Sequence, residues 1–203
     1  MKYGHSFKKN KNLQVNDPEE FGDHWTYTSF KRTSGLFLTF KTGKRVETTC
    51  ELMMDQFFDR MDLPRPQNKI SIFSDGNIQY TSIVSKLYCE TCVNYGQIIK
   101  IKENNKLVDV IRAKIIGNPD IESISTSIVE GYNNKIRQRL SRFGRKTASF
   151  SKRARGYVAA LSIFQFVHNF IDPKQGQQSP AMLESITDHL WNWMEFLCHH
   201  VQL

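Results

Sequence analysis

Three carboxylates stand where they could do chemistry together: Asp23 at the head of an aromatic-rich stretch, Asp75 in FSDGN at 73–77, and Glu130 in VEGYNN at 129–134. Glu130 is the most conspicuous. It and Asp172 bracket a run with no other acid, and between them lie Lys135, Arg137, Arg139, Arg142, Arg145, Lys146, Lys152, Arg153 and Arg155. A polyanion held along that run would meet one isolated negative group. Carboxylates converging amid positive charge bind a hard divalent cation such as Mg²⁺ through oxygen. Two such ions, about 4 Å apart, activate a water and stabilise the leaving oxygen in phosphodiester cleavage. The three acids are so far apart in the chain that only the fold could bring them together. The competing reading is that Glu130 is a helix N-terminal acid favoured by the macrodipole and Asp75 a turn residue before Gly76.

The elements that would position these groups are readable from periodicity. Val129, Tyr132, Ile136, Leu140 and Phe143 recur at steps of three and four, the stripe of an amphipathic helix. Glu130 then borders the buried face, with Asn133 and Asn134 one turn on and Arg137 two turns on. HWTYTSF at 24–30 and LFLTF at 36–40 are dense in β-formers and are joined by KRTSG, so they read as an antiparallel hairpin. A short polar strand is expected around Lys44 to Thr48. A helix is expected over Thr49 to Met61, ending before Pro64 and Pro66. KISIFSDGN at 69–77 reads as a fully buried strand in a parallel sheet. That puts Asp75 at its carboxyl end, the edge where open α/β sheets place ligands. A helix from Ile78 to Leu87 follows. GQIIKIKENNKLVDVIRAKII then reads as a hairpin with Glu103-Asn104-Asn105 at its tip, whose lysines suit either contact with nucleic acid or a solvated face.

Tyr157, Ala160, Leu161, Phe164, His168 and Ile171 form the stripe of another helix, on which His168 is expected to be a satisfied structural residue. GRKTASFSKRAR carries the guanidinium and hydroxyl groups that contact phosphate oxygens. Residues 172–203 are expected to be a linker and an aromatic helix over 186–197, capped at Thr187 or Asp188 and packed back on the domain. Residues 1–16 are basic and aperiodic and read as a flexible arm.

A chain of 203 residues with 39% hydrophobic content fits one globular core with extensions, and a net charge of +8 points to an acidic partner. No apolar run reaches the roughly 18 residues of a membrane helix. The start, MKYGHSFKKNKN, lacks the apolar segment of a secretory signal, so an intracellular, reducing location is expected. Cys89 and Cys92 form a C-x-x-C pair. They could bind zinc only with Cys198 and His199 or His200, and otherwise read as buried thiols.

The block VEGYNNKIRQRLSRFGRKTASFSK at 129–152, supported by FSDGN at 73–77 and GDHWTYTSF at 22–30, resembles the DDE transposases of small bacterial and archaeal insertion sequences. SPAMLESITDHLWNW at 179–193 is similar to tails of archaeal members, and the likeness spans roughly residues 17 to 197. It implies an α/β, ribonuclease H-like core over 17–171, with a mixed sheet whose first strands are antiparallel, flanked by helices. It also implies Asp23, Asp75 and Glu130 as ligands of two Mg²⁺ ions, with Mn²⁺ able to serve in their place. Asn133 would be a supporting group, and Lys135, Arg137, Arg139, Arg142, Arg145, Lys146, Lys152 and Arg153 would hold DNA.

The implied activity is cleavage at element ends and strand transfer into target DNA, by a homo-oligomer in a synaptic complex in the prokaryotic cytoplasm, at the nucleoid. Asp17, Glu19 and Glu20 stay open as the first acid, since relatives place it three residues before the aromatic, where this chain has Gly22. The finger and helix-turn-helix common in the family are not seen before Asp17. Either that module is supplied on another polypeptide or frame or this copy is truncated; a non-catalytic or domesticated DNA-binding relative and a stand-alone metal-dependent nuclease are the alternatives in function.

Overall fold

The computed structural model describes residues 5–6, 14, 16, 22–104, 106–143, 154–174 and 176–199, with only the backbone described for His5, Ser6 and Asp23. The chain divides into two compact units, Met1–Thr42 with Asn133–Leu203, and Gly43–Tyr132. Among the described residues the strands form two three-stranded sheets, one in the order β1-β2-β3 and one in the order β4-β5-β6.

In the first unit, β1 (His5–Ser6) pairs antiparallel with β2 (Asp23–Phe30), so Ser6 lies opposite Asp23 and the expected arm contains a short strand. β2 turns into β3 (Phe37–Gly43) through 31–36, where Gly35 N donates to Lys31 O at 2.9 Å and Lys31 N to Leu36 O at 2.8 Å. Gly35 has φ 73, a left-handed conformation open to glycine at no steric cost. Hydroxyl pairs Thr26–Thr42 at 2.9 Å and Ser29–Thr39 at 2.8 Å lie across the two strands, in the order an antiparallel hairpin requires. β3 runs to Gly43, and helix begins at Glu47, so the expected polar strand at Lys44 to Thr48 does not form.

Against this hairpin lie the Asn133–Arg139 part of α3 (Ser127–Arg139), the 3-10 turn Ser141–Phe143 and α4 (Ala154–Phe166), which continues as a π-helical turn over Val167–Ile171. Phe37, Ile136, Phe143, Tyr157, Leu161 and Phe164 make one buried cluster. Burying such a set stabilises by about 1.5–3 kcal/mol per large apolar side chain. The rings of Phe30 and Phe37 stack at 4.4 Å and those of Phe143 and Tyr157 at 4.2 Å, while Tyr157 places its hydroxyl 2.8 Å from that of Thr26.

The segment after Asp172 does pack back: Phe196 meets Phe166 at 4.2 Å and Trp191 meets Phe170 at 5.4 Å between ring centres. It holds two short helices, α5 (Pro180–Leu183), capped by Ser179, and α6 (Trp193–Cys198). The second starts later than the aromatic pattern suggests. Asn192 accepts from the N–H groups of Met194 and Glu195 while Glu195 accepts from Asn192 N at 2.7 Å, and this capping box fixes the boundary.

The second unit begins with α1 (Glu47–Phe58), which buries Thr49, Cys50, Met53, Met54 and Phe57 on one face. α2 (Ile78–Leu87) has the expected bounds, packs on α1 and buries Ile83 and Val84. Between them β4 (Ile70–Asp75) runs parallel to β5 (Val93–Glu103), completing a β-α-β unit. Ser71 and Asp75 are exposed, and β4 is the edge strand of its sheet, so the expectation of a fully buried strand fails. The apolar run ISIF belongs to a strand with only one neighbour among the described residues. β5 and β6 (Lys106–Ile116) form the expected long hairpin, with Asn104 at φ 49 in its tip.

Candidate functional site

Asp75 and Glu130 are brought to the same strand. Asp75, the last residue of β4, is the ladder partner of Ile98 in β5. Two residues further along β5, about 7 Å at the usual rise, Lys100 Nζ lies 2.5 Å from Glu130 Oε1. Asp75, Ile98 and Lys100 share one face of the sheet by the alternation of the pleat. Glu130 sits in the first turn of α3, where the macrodipole favours an acid, and its Oε1 also accepts from Thr126 Oγ1 at 3.1 Å. Partial burial works to raise its pKa, but hydrogen bonds from Lys100 and Thr126 and the charge of Lys100 outweigh that and hold it below the ordinary 4.5. Asp75 is exposed and its Oδ1 takes Asn77 N at 3.4 Å, which is the turn role expected from sequence.

The remaining predicted residues divide three ways. Asp23 opens β2, where its backbone pairs with Ser6, and its side chain lies outside the described residues, as do Asp17, Glu19 and Glu20. Arg145, Lys146, Lys152 and Arg153 lie outside the described residues too. Asn133 is buried and its Oδ1 accepts from Thr28 Oγ1 at 3.3 Å, a tie between α3 and β2.

The described basic residues have internal partners. Lys135 lies 3.3 Å from Asp172 Oδ2 and 3.2 Å from His168 Nδ1, and burial lowers its pKa. Arg139 pairs with the same Asp172, Arg137 donates to Asn134 Oδ1 at 2.8 Å, and Arg142 donates to Gly156 O at 3.0 Å. A phosphate would have to compete with these contacts. Lys100, by contrast, is in the sequence only one of several hairpin lysines. Its tie to Glu130 is a pairing across thirty positions that no local pattern announces.

Oxygen donors of this kind suit a hard cation such as Mg²⁺. Among the described residues, however, no three His, Cys, Asp or Glu side chains form a ligand group, for Mg²⁺ or for zinc. None of the described helices is long and apolar enough to cross a membrane. No family model matches the chain, and neither does any curated protein or solved structure.

Proposed function

We propose that this chain is the catalytic part of an insertion-sequence transposase of the DDE type, with a ribonuclease H-like core, cutting DNA at element ends and joining the freed 3′ hydroxyl to target DNA. One observation carries the reading. Asp75 ends a strand of a parallel pair, and Glu130 is fastened to the neighbouring strand two residues beyond the ladder partner of Asp75. Both acids therefore belong to the carboxyl-terminal part of that pair, where open α/β sheets place their ligands.

Asp75 and Glu130, with Asp23 as the third acid, would hold two Mg²⁺ ions. Bound there, such ions lower the pKa of a water and offset charge on the leaving oxygen. The chain's own groups do the positioning. β4 and the first turn of α3 fix the two carboxylates, and Thr126 orients Glu130. Lys100 is paired with Glu130 and would exchange that carboxylate for a DNA phosphate. Exposed ion pairs of this kind are worth no more than about 1 kcal/mol, so the exchange is cheap. DNA itself is drawn by the net charge of +8, and two ends held in a synapse imply two copies of the chain.

The test is nicking and joining of a labelled duplex carrying the element's ends, with Mg²⁺, Mn²⁺ or EDTA, for wild type, Asp23→Ala, Asp75→Ala and Glu130→Ala. Metal-dependent nicking that falls by at least about a hundredfold in each variant, with DNA binding retained, is the expected result. Binding indifferent to metal, with no cut in any duplex, would leave a DNA-binding relative without catalysis. Cleavage of branched or hybrid substrates without joining would leave a nuclease.

A further inference from the structure

The pair Cys89 and Cys92 has no part in that proposal, and its geometry is that of a dithiol ready to close. Residues 89–92 form a turn in which Cys92 N donates to Cys89 O at 2.9 Å. A turn closed in this way brings its end Cα atoms within about 7 Å, the span that a disulfide bridges. Both sulfurs also reach one hydroxyl, with Thr91 Oγ1 3.1 Å from Cys89 Sγ and 3.8 Å from Cys92 Sγ. Cys89 is exposed and Cys92 half-buried, so solvent reaches the first more freely than the second. We propose that Cys89 and Cys92 are a redox-active pair, which a hydroperoxide converts to an intramolecular disulfide and a dithiol reductant restores.

The surroundings assign the two roles. The hydrogen bond with the Thr91 side chain, followed by that with Thr91 backbone, holds the Cys89 thiol below its ordinary 9.0. Cys89 is therefore the attacking sulfur, since the thiolate is the nucleophile. It attacks one peroxide oxygen, the O–O bond breaks, and hydroxide departs to leave a sulfenic acid on Cys89. The sulfur of Cys92 then attacks that of Cys89, the S–O bond breaks, and the hydroxyl leaves as water with the proton of Cys92. Two electrons pass from the dithiol to the peroxide.

The turn follows the carboxyl end of α2, the negative pole of the helix dipole. Stabilisation of the Cys89 thiolate therefore comes from Thr91 and not from a helix N-terminus. The other two cysteines are not equivalent. Cys50 is fully buried, and burial pushes its thiol up to about 12, while Cys198 is exposed but has no second cysteine within reach along its own stretch of chain.

Closure has a defined structural address. Cys92 O accepts Ile70 N at 3.1 Å, so the turn is fixed to the amino end of β4, the opposite end of that strand from Asp75. The inference concerns this end alone and is independent of the role proposed for the carboxylates.

The experiment treats the full-length chain with one equivalent of hydrogen peroxide, counts free thiols and maps the peptide holding residues 89 and 92. Loss of two of the four thiols, a peptide lighter by two hydrogens, and recovery with dithiothreitol are expected. Cys92→Ser should stop at a sulfenic acid on Cys89 that dimedone captures, and Cys89→Ser should consume peroxide about tenfold more slowly. Both serines sit in a solvent-reached turn, and unchanged circular dichroism shows that the unit is still folded. Fastest oxidation at Cys198, a cross-link that forms only in denaturant, or as much dimedone adduct in wild type as in Cys92→Ser would each overturn the proposal.

Discussion

His168 shows how much one buried side chain can decide. Its Nε2 lies 3.0 Å from Gly35 O, a pure acceptor, so Nε2 carries the proton and Nδ1 accepts from Lys135 Nζ at 3.2 Å. Burial is the main reason its pKa falls from 6.5 to about 4, with Lys135 and Arg139 adding to the fall and Gly35 O and Asp172 opposing it. Between those two values the unfolded chain binds the proton and the folded chain does not, so stability rises with pH across that window. The contribution is complete above about pH 6.5 and is lost as pH falls toward 4, a change of about 3 kcal/mol. Urea unfolding at pH 7 and pH 5 should show it, and His168→Gln should remove most of the difference. The sequence pattern puts His168 on a buried stripe, but not its partners: Gly35 and Lys135 lie far away in the chain. The same holds for Lys135 and Arg139, whose i, i+4 spacing is plain in the sequence while their shared acid, Asp172, is supplied by another element.

At the scale of elements, β3 is held to the end of α4 and to the π-helical turn that follows it by side-chain amides. Asn169 accepts Phe37 N at 2.8 Å and donates to Phe37 O at 3.0 Å, and Gln165 donates to the carbonyls of Phe37 and Leu38. Asn169→Ala leaves a buried N–H without its acceptor and should cost about 1–3 kcal/mol, read from the urea midpoint. The β5–β6 hairpin makes a different prediction. Lys100, Lys102 and Lys114 are exposed on it, and the register sets Arg112 opposite Ile98 and Lys114 opposite Gly96 on the face that carries Lys100. If that face meets DNA phosphates, Lys102→Ala and Lys114→Ala should each lower the salt slope of binding by about 1. An unchanged slope would mark a solvated face.

These elements were legible to unequal degrees. The bounds of α2 and the tip of the hairpin follow from local turn chemistry at Ser74-Asp75-Gly76-Asn77 and Asn104. The exposure of β4 does not, because strand neighbours are decided by tertiary packing; the late start of α6 is written in the local capping box of Asn192 and Glu195, which the broader aromatic pattern obscures.

For the whole molecule, the net charge of +8 predicts DNA binding that weakens steeply between about 50 and 200 mM salt, measurable by fluorescence anisotropy. Composition made that expectation, and the structure adds that Lys135, Arg139 and Arg142 are already engaged inside the first unit. The sequence reads as one core over 17–171 followed by a tail; in the structure the tail and the first hairpin share one compact unit and 43–132 forms the other. Asp75 and Glu130 could be joined to a common strand on paper only through Lys100, which composition ranks with every other lysine.

The first unit is assembled from distant stretches of chain, and this sets a timetable. Thr26 must wait for Tyr157, 131 residues later, and Phe37 for Asn169, 132 residues later. At about 5–20 residues per second of synthesis, the β2–β3 hairpin leaves the ribosome roughly ten seconds before the helix that covers it. Gly43–Tyr132 is contiguous and emerges whole during that interval. The apolar face of Phe30, Phe37 and Phe40 is uncovered throughout, which makes the nascent chain, more than the finished protein, the form exposed to aggregation.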